Sequence, residues 1–560
     1  EENNWLLEGR TVLLFKGGDR KDPANYRPIT CLPTITKMVT LAIHKRMQKY
    51  LFGNGERSIL EFEQRGVRTS QGCKESVIEI LAFNISRKKE RKESVELYYD
   101  FQKAYDNVNH AFLERLLEVY GFPPGIQMLI IEMMNRWKIR LTYSAKKEVG
   151  EVRLENGIIQ GDAFSPLLFV LMIDPLIKIL KKVGDSAEIL YYMDDLKVSV
   201  TDVQTAQIIH ETVKSNAHAV GMVINNKKSA IQLNVETPLP QSLQEIPRLD
   251  ETTYKYLGFE MKHGEVDRKL MMAKLEERLR EKLDEPTTIV EVFEFRNWIQ
   301  SINQNVMSVI RFYSGPVKFT LGWLDRIDKT ICQHLSQQGL LMKRGMATSR
   351  LYMKPDDMGL GLKSCVAVYL LELIRVFLQY KRGTIFRQEW FLRMEEQTKR
   401  NGKGVWMREI EKVLRRFDAS LQWLTESIRI RDQQIERIRE DDQIEERARK
   451  SMLVAQKRKS IDEVLEEVQV VINTHFFDEF SKTKSSLFLK RVLENQKCID
   501  MPLIKKTWRT LNYTPKTMKV IRENQENLLC VGKRKELITR QKAVTKCWCN
   551  KSGQALKAKH

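Results

Sequence analysis

Tyr191-Tyr192-Met193-Asp194-Asp195 is the stretch whose reading decides the fold. Glu188-Ile189-Leu190 precedes it and Leu196-Lys197-Val198-Ser199-Val200 follows, so two β-rich runs flank a tight acidic turn, the pattern of a hairpin. Two adjacent carboxylates at a hairpin tip repel each other unless a cation neutralises them, and an oxygen-only pair suits hard Mg²⁺ better than a soft metal. Alone, Asp-Asp in a turn is an ordinary solvated turn. A second carboxylate site is needed before it means more.

That site lies upstream, in Ser94-Val95-Glu96-Leu97-Tyr98-Tyr99-Asp100-Phe101-Gln102-Lys103-Ala104-Tyr105-Asp106, where a β-type run ends on Asp100 and passes into a helix-like segment. Two strands of one sheet, each ending in Asp, can bring three carboxylates round a metal pair about 3.5–4 Å apart, the clamp for in-line nucleotidyl transfer. Between them stands Asn156-Gly157-Ile158-Ile159-Gln160-Gly161-Asp162-Ala163-Phe164-Ser165-Pro166-Leu167-Leu168-Phe169, a glycine turn opening an apolar helix. The order and spacing of these stretches resemble motifs A, B and C of reverse transcriptases, and Gln160 to Phe169 is similar to the non-LTR retrotransposon branch.

The resemblance implies an α/β right-hand polymerase with fingers, palm and thumb, followed by an all-α linker and a basic C-terminal segment. It implies an RNA-directed DNA polymerase with Asp100, Asp194 and Asp195 holding two Mg²⁺ ions. Tyr105 would stand beneath the 2′ carbon of the nucleotide, where a ring excludes a 2′-hydroxyl and favours dNTPs. Asp106 reads as a helix-start residue. Gln160 offers a donor and an acceptor to sugar or base, Gly161 allows close backbone approach, and Tyr192 and Met193 would line the primer end.

Composition agrees with such a partner. The chain has 560 residues, 42 % of them hydrophobic, enough for two to four domains. Its 94 Lys+Arg against 73 Asp+Glu leave +21, an excess that favours a polyanion over a neutral ligand. No apolar run approaches the roughly 18 residues a membrane span needs, since Pro166, Asp174 and Pro175 interrupt the most apolar segment, 164–180. Eight scattered cysteines and no secretory leader point to a reducing compartment, and the resemblance implies the nucleus. With Glu1 first and an abrupt stop at His560, the sequence reads as a fragment of something longer.

Taken in order, fingers are expected over 1–94, palm over 95–262, a helical thumb over 263–385, a charged helical linker over 386–500 and a basic tail over 501–560. Trp5 to Lys16 reads as a strand leading through Gly17-Gly18-Asp19-Arg20 to Asn25-Tyr26-Arg27-Pro28-Ile29. This resembles the first fingers motif, which puts Lys16 and Arg27 on the triphosphate, roles that suit a point charge and a fork. Ile35, Met38, Leu41, Ala42 and Met47 at helical spacing predict a fingers helix. Glu63-Gln64-Arg65-Gly66-Val67-Arg68 is similar to the second fingers motif, which makes Arg65 and Arg68 template or nucleotide contacts, Arg68 on the nucleotide; the alternative for both is a salt bridge to Glu61 or Glu63. The basic run Arg87 to Lys92 reads as a solvated helix end.

Val220 to Ser229 resembles motif D, whose lysine is thought to protonate the leaving pyrophosphate; Lys228 matches best and Lys227 is its rival. Tyr254-Lys255-Tyr256-Leu257-Gly258-Phe259 resembles the primer grip, assigning that role to Leu257 and Gly258. Leu351-Tyr352-Met353 with Gly359-Leu360-Gly361-Leu362 is similar to a stretch of retrotransposons of the restriction-like-endonuclease class, which prime on a nicked target. Residues 405–501 contain no Gly or Pro and are dense in charge, so long solvent-exposed helices are expected.

The tail 501–560 holds 15 Lys+Arg and 3 Asp+Glu, a net of +12. Its Cys547-Trp548-Cys549 and His560 resemble a zinc knuckle, although the family spacing is Cys-x-x-Cys and a fourth ligand is missing. Template RNA, primer or target DNA and dNTPs are the implied partners. No endonuclease is expected in this chain, Pro355-Asp356-Asp357 reading as a turn. A group II intron maturase-like or domesticated reverse transcriptase would share the palm. A non-enzymatic nucleic-acid scaffold would keep the charge but not need the aspartates.

Overall fold

The computed structural model describes residues 4–483, apart from 54–57, 69–71, 90–93, 145–146, 185–186, 234–236, 285–294, 339–346, 358, 384–387 and 442–443. The basic tail, with Cys547, Cys549 and His560, therefore lies outside the described residues.

In chain order the elements are β1 (Glu8–Phe15), β2 (Tyr26–Cys31), α1 (Thr34–Phe52), α2 (Cys73–Lys89), β3 (Val95–Tyr99), α3 (His110–Val119), α4 (Pro124–Asn135), β4 (Lys138–Ser144) and β5 (Lys147–Arg153). Next come α5 (Ser165–Val183), β6 (Glu188–Tyr192), β7 (Asp195–Val200), α6 (Val203–Ala219), β8 (Ala230–Leu233), β9 (Tyr254–Tyr256), β10 (Phe259–Lys262) and β11 (Glu265–Val266). Helices complete the chain: α7 (Arg268–Asp284), α8 (Phe295–Ser301), α9 (Met307–Tyr313), α10 (Leu321–Gln337), α11 (Ser349–Tyr352), α12 (Cys365–Lys381), α13 (Gln388–Gln397), α14 (Val405–Leu414), α15 (Leu421–Glu440) and α16 (Glu446–Ser481). They divide into two compact units, Glu1–Asp267 with Ile385–Lys399, and Arg268–Thr384 with Arg400–His560.

The first unit is built on an antiparallel sheet of order β6-β7-β3-β8. Strand β3 is buried along its whole length, so both faces of the sheet are covered. On one face Val95, Leu97, Tyr99, Val198 and Ile231 join a core that includes α5 and α6. Helix α5 supplies much of it: Leu167, Leu168, Phe169, Leu171, Ile173 and Ile177 are all fully enclosed, each contributing about 1.5–3 kcal/mol by burial. Its Asp174, buried too, accepts hydrogen bonds from the Glu61 N–H (2.6 Å) and the Tyr120 hydroxyl (2.5 Å). On the other face Tyr98 stacks on Tyr254 of the β9–β10 hairpin, ring centroids 4.4 Å apart. Helix α13 packs on α2, and Phe83 meets Trp390 edge to face.

A second sheet of order β2-β1-β4-β5 departs from the expected domain boundary. Strand β4, from the stretch assigned to the palm, pairs in parallel with β1, so the fingers sheet takes two strands from beyond residue 94. Long-range pairing of this kind leaves no periodic signal in sequence. Helix α1 forms as expected but buries Thr36, Thr40, Ile43, Met47 and Leu51, leaving Ile35, Met38 and Leu41 exposed. Helix α2 ends at Lys89, yet Arg87 is buried over the Phe83 ring instead of solvated.

The second unit is helical. Helix α12 is its centre, with α9, α10, α14 and α16 packed around it and Tyr369, Leu370, Ile374, Val376 and Leu378 enclosed. The stretch expected to be an exposed linker is corrected here. Helices α15 and α16 pack on each other, and α16 buries Ile461, Val464, Leu465, Val468 and Ile472. Charge dominates the composition, but one apolar face remains, and its charges pair: Arg382 with Asp432 (3.1 Å), Arg431 with Glu467 and with Glu463 (3.7 Å). Residues 386–399, expected in the linker, belong to the first unit, as does residue 385, expected to end the thumb. Pro355–Asp357 is a single 3₁₀ turn. No described helix is long and apolar enough to cross a membrane.

Candidate active site

Strand register assembles the carboxylates. In the β3–β7 pair Tyr99 lies opposite Leu196, and Asp100 directly follows the one as Asp195 directly precedes the other. Strands β6 and β7 close around Met193 and Asp194, Tyr192 pairing with Asp195. All three aspartates therefore stand at one end of the sheet. The first residue of the turn is not a turn former: Met193 has φ +57°, a left-handed backbone that costs a bulky residue of order 1–3 kcal/mol.

Burial pushes the Asp195 carboxyl up to about 7, with the charges of Asp194 and Asp100 adding to it. Asp194 is raised too, first by burial and then by Asp100, against the opposing pull of its own backbone N–H and of Arg27. Arg27, exposed in β2, is thus a cation within electrostatic reach of the turn. Among the described residues no three His, Cys, Asp or Glu side chains stand close enough to hold a metal as they are. Unscreened carboxylates repel, and a divalent cation is what would draw them together. The donor set, oxygen only and with two carboxyls raised by burial and by each other's charge or that of Asp100, fits a hard ion such as Mg²⁺.

Other expected residues gather here by separate routes. The 223–229 segment lies along the end of β3: Asn225 N donates to Asp100 O (2.8 Å), Gln102 N to Val223 O (2.9 Å), and Asp100 N to the Ser229 hydroxyl (3.2 Å). It carries Lys227 and Lys228, both exposed. Tyr105 is half-buried, its ring parallel to Phe169, and Asp194 contributes to raising its hydroxyl pKa after burial does. Gln160 donates to Asp106 Oδ1 (3.2 Å). Asp106 does not start α3; Asn109 does, capping the Phe112 N–H.

Gly161 has φ +123°, and a Cβ there would lie 2.4 Å from Thr30 O, so β2 itself demands the glycine. The β9–β10 hairpin turns at Leu257 (φ +49°) and Gly258 (φ +88°), and Tyr254 is near enough to Asp195 and Asp100 for their charges to raise its hydroxyl pKa, which burial raises most. Lys16 is exposed at the end of β1, its N–H bonded to Asn25 O (2.7 Å).

Two arginines behave otherwise than expected. Arg68 turns inward, donating to Gln64 O, Ser58 Oγ, Leu60 O and Glu61 O and lying over the Phe52 and Phe62 rings. Burial holds its pKa down to about 10. The guanidinium braces its own loop instead of facing the carboxylates. Arg65 is buried against Glu79, while Glu61 and Glu63 pair with Lys181.

Sequence reasoning also passed over a buried group beneath the site, in which Lys197 and Ser199 of β7 both reach Glu96 of β3. Alternation in Glu96 to Tyr99 conceals it, because both sheet faces are covered.

Residues 17–261 match the family model for reverse transcriptase (RNA-dependent DNA polymerase). These residues are a reverse transcriptase domain. The domain is similar to that of non-LTR retrotransposons: the Pol polyprotein of the type-1 element R2 of Popillia japonica is 25 % identical over 228 residues, 39 % of this chain and 31 % of that protein. The R2 polyprotein of Nasonia vitripennis is 24 % identical over 271 residues (45 % and 26 %), and the probable RNA-directed DNA polymerase of the Drosophila melanogaster X-element 24 % over 263 residues (45 % and 28 %). The aligned reverse transcriptase region thus spans less than a third of each relative. Likeness to solved structures is loose: apo telomerase from Candida tropicalis shares 12 % identity over 70 % of both chains, with a TM-score of 0.39.

Proposed function

We propose that this chain is an RNA-directed DNA polymerase of a non-LTR retrotransposon, which extends a DNA 3′-hydroxyl by copying RNA. The observation that supports it most is the pairing of Tyr99 with Leu196 and of Tyr192 with Asp195, which leaves Asp100, Asp194 and Asp195 at one end of a single sheet inside the matched domain. Template RNA, primer or nicked target DNA, and dNTPs are its substrates in this reading. The 3′-hydroxyl oxygen attacks the α-phosphorus and pyrophosphate leaves. Two Mg²⁺ ions held by Asp100, Asp194 and Asp195 would supply Lewis acidity at the attacking and leaving oxygens.

The chain's own residues divide the remaining work. Lys16 and Arg27 neutralise the triphosphate, and Arg27 already lies within electrostatic reach of Asp194. Tyr105 closes the space beneath the 2′ carbon, and Gln160 and Gly161 border the nucleotide from the turn against β2. Leu257 and Gly258 meet the primer backbone, and Lys228 gives a proton to pyrophosphate. Target-primed synthesis, and a nuclear site for it, belong to the same proposal.

The test is primer extension with purified protein, Mg²⁺, an RNA template and an annealed DNA primer. Incorporation of dNTPs by the wild type and none by Asp194→Asn is the expected result. Equal incorporation by both proteins would remove the reading.

A further inference from the structure

Residues 63–65 run parallel to β6: Arg65 N donates to Tyr191 O (2.8 Å) and Tyr191 N to Glu63 O (2.9 Å). Between these bonds Gln64 is fully enclosed. Its Nε2 donates to Met193 O (3.2 Å), and its Oε1 accepts from Met193 N (3.1 Å) and Gly66 N (2.8 Å). One side chain thus holds both polar groups of the residue that turns the hairpin. Two N–H donors aimed at Oε1 also fix which way the carboxamide points, since its NH₂ cannot face them.

Met193 is not a residue that takes φ +57° by itself; hairpin turns use Gly, Asn or Asp where φ is positive. The conformation is therefore imposed, and what imposes it comes from the fingers stretch, far away in sequence. Gly66 lets the clamp close, because a Cβ there would lie 2.4 Å from Met193 Sδ and 3.1 Å from Met193 N.

We propose that Gln64 is a positioning residue of the polymerase: it holds Met193 left-handed and so aims Asp194 and Asp195. The proposal rests on the polymerase reading. A carboxamide is suited to this because it carries a donor and an acceptor side by side, as a peptide group does. Gln64→Met keeps length and burial and removes both bonds to Met193 together with the one to Gly66.

In the test, kcat is measured per active site, by burst titration of the RNA–DNA duplex, together with the KM for dNTP. With misplacement near 1 Å, Gln64→Met should lower kcat per active site by about tenfold to a hundredfold while KM stays within about threefold. Adding Met193→Asn should recover part of the loss, since Asn enters the left-handed region more readily.

Independently of activity, Gln64→Met should need more Mg²⁺ than the wild type for half of the cation-induced rise in Tm. A purely structural role would lower the burst amplitude and leave kcat per active site unchanged. That result, or unchanged kcat with an unchanged Mg²⁺ midpoint, overturns the proposal. Should Gln64→Met fail to fold, Gly66→Ala decides by the same criteria. Should the wild type incorporate no dNTP, the polymerase reading fails by itself, and the Mg²⁺ midpoint still tests the clamp.

Discussion

The ring of Tyr105 lies parallel to that of Phe169, centroids 5.0 Å apart and planes 7° from each other. Phe169 is fully enclosed on α5, so the tyrosine ring rests on a rigid support. Tyr105→Ala should therefore raise rNTP use relative to dNTP by about tenfold or more, and Phe169→Leu, which loosens the support without opening the space, by less. The ratio of kcat/KM for the two sugars measures it, and an unchanged ratio would remove Tyr105 from the sugar filter.

Asp194→Asn should abolish incorporation, a loss of at least about a thousandfold, with affinity for the RNA–DNA duplex within about threefold of wild type. Filter binding beside primer extension separates the two. Parallel loss of binding and activity would mark a folding defect instead.

The raised carboxyls at the turn give the metal-free protein a pH dependence of definite sign. Asp195, moved from 3.8 to about 7, binds its proton more tightly folded than unfolded, as does Asp194. Their contribution to stability is thus present below the unfolded value and is lost as pH rises through the folded one. Without metal, Tm should fall between about pH 4 and pH 7 on their account, and Mg²⁺ should raise Tm more at about pH 8 than at about pH 5. Scanning calorimetry of wild type and Asp195→Asn compares the two directly. An equal Mg²⁺ effect at both pH values, or one retained in full by Asp195→Asn, would contradict it.

Glu96→Ala should destabilise the first unit by about 3–5 kcal/mol, because it leaves the enclosed Lys197 ammonium without its counter-charge. Glu96→Gln, which keeps an acceptor for Lys197 and Ser199, should cost less. Urea denaturation followed by tryptophan fluorescence distinguishes them, and equal losses would point to packing instead of charge.

Deleting residues 501–560, with their net +12, should weaken nucleic-acid binding and flatten its salt dependence by about 0.7–0.9 in slope for each phosphate that the tail had neutralised. Titration across a range of salt concentrations reads this slope. A slope equal to that of the full chain would show that the tail faces elsewhere.

What the sequence by itself determined is the local frame of the turn. Asp100 after one β-type run, and Asp194 and Asp195 at the tip of a hairpin, were legible because a hairpin or a strand end carries its signal within about ten residues. The same holds for the Leu257-Gly258 turn and for the glycine opening α5. Tertiary structure alone decided everything that depends on partners far apart in the chain. It joined β4 to β1, turned Ile35 and Met38 of α1 outward, and packed α16 on α12 despite its charge. It also committed Arg68 to its own loop and gave Gln64 the backbone of Met193. Periodicity states which face of an element is apolar, but not which distant element covers it or which polar side chain finds its match there. That choice is made by packing and by the need to satisfy each buried donor and acceptor, and neither acts until the chain has folded.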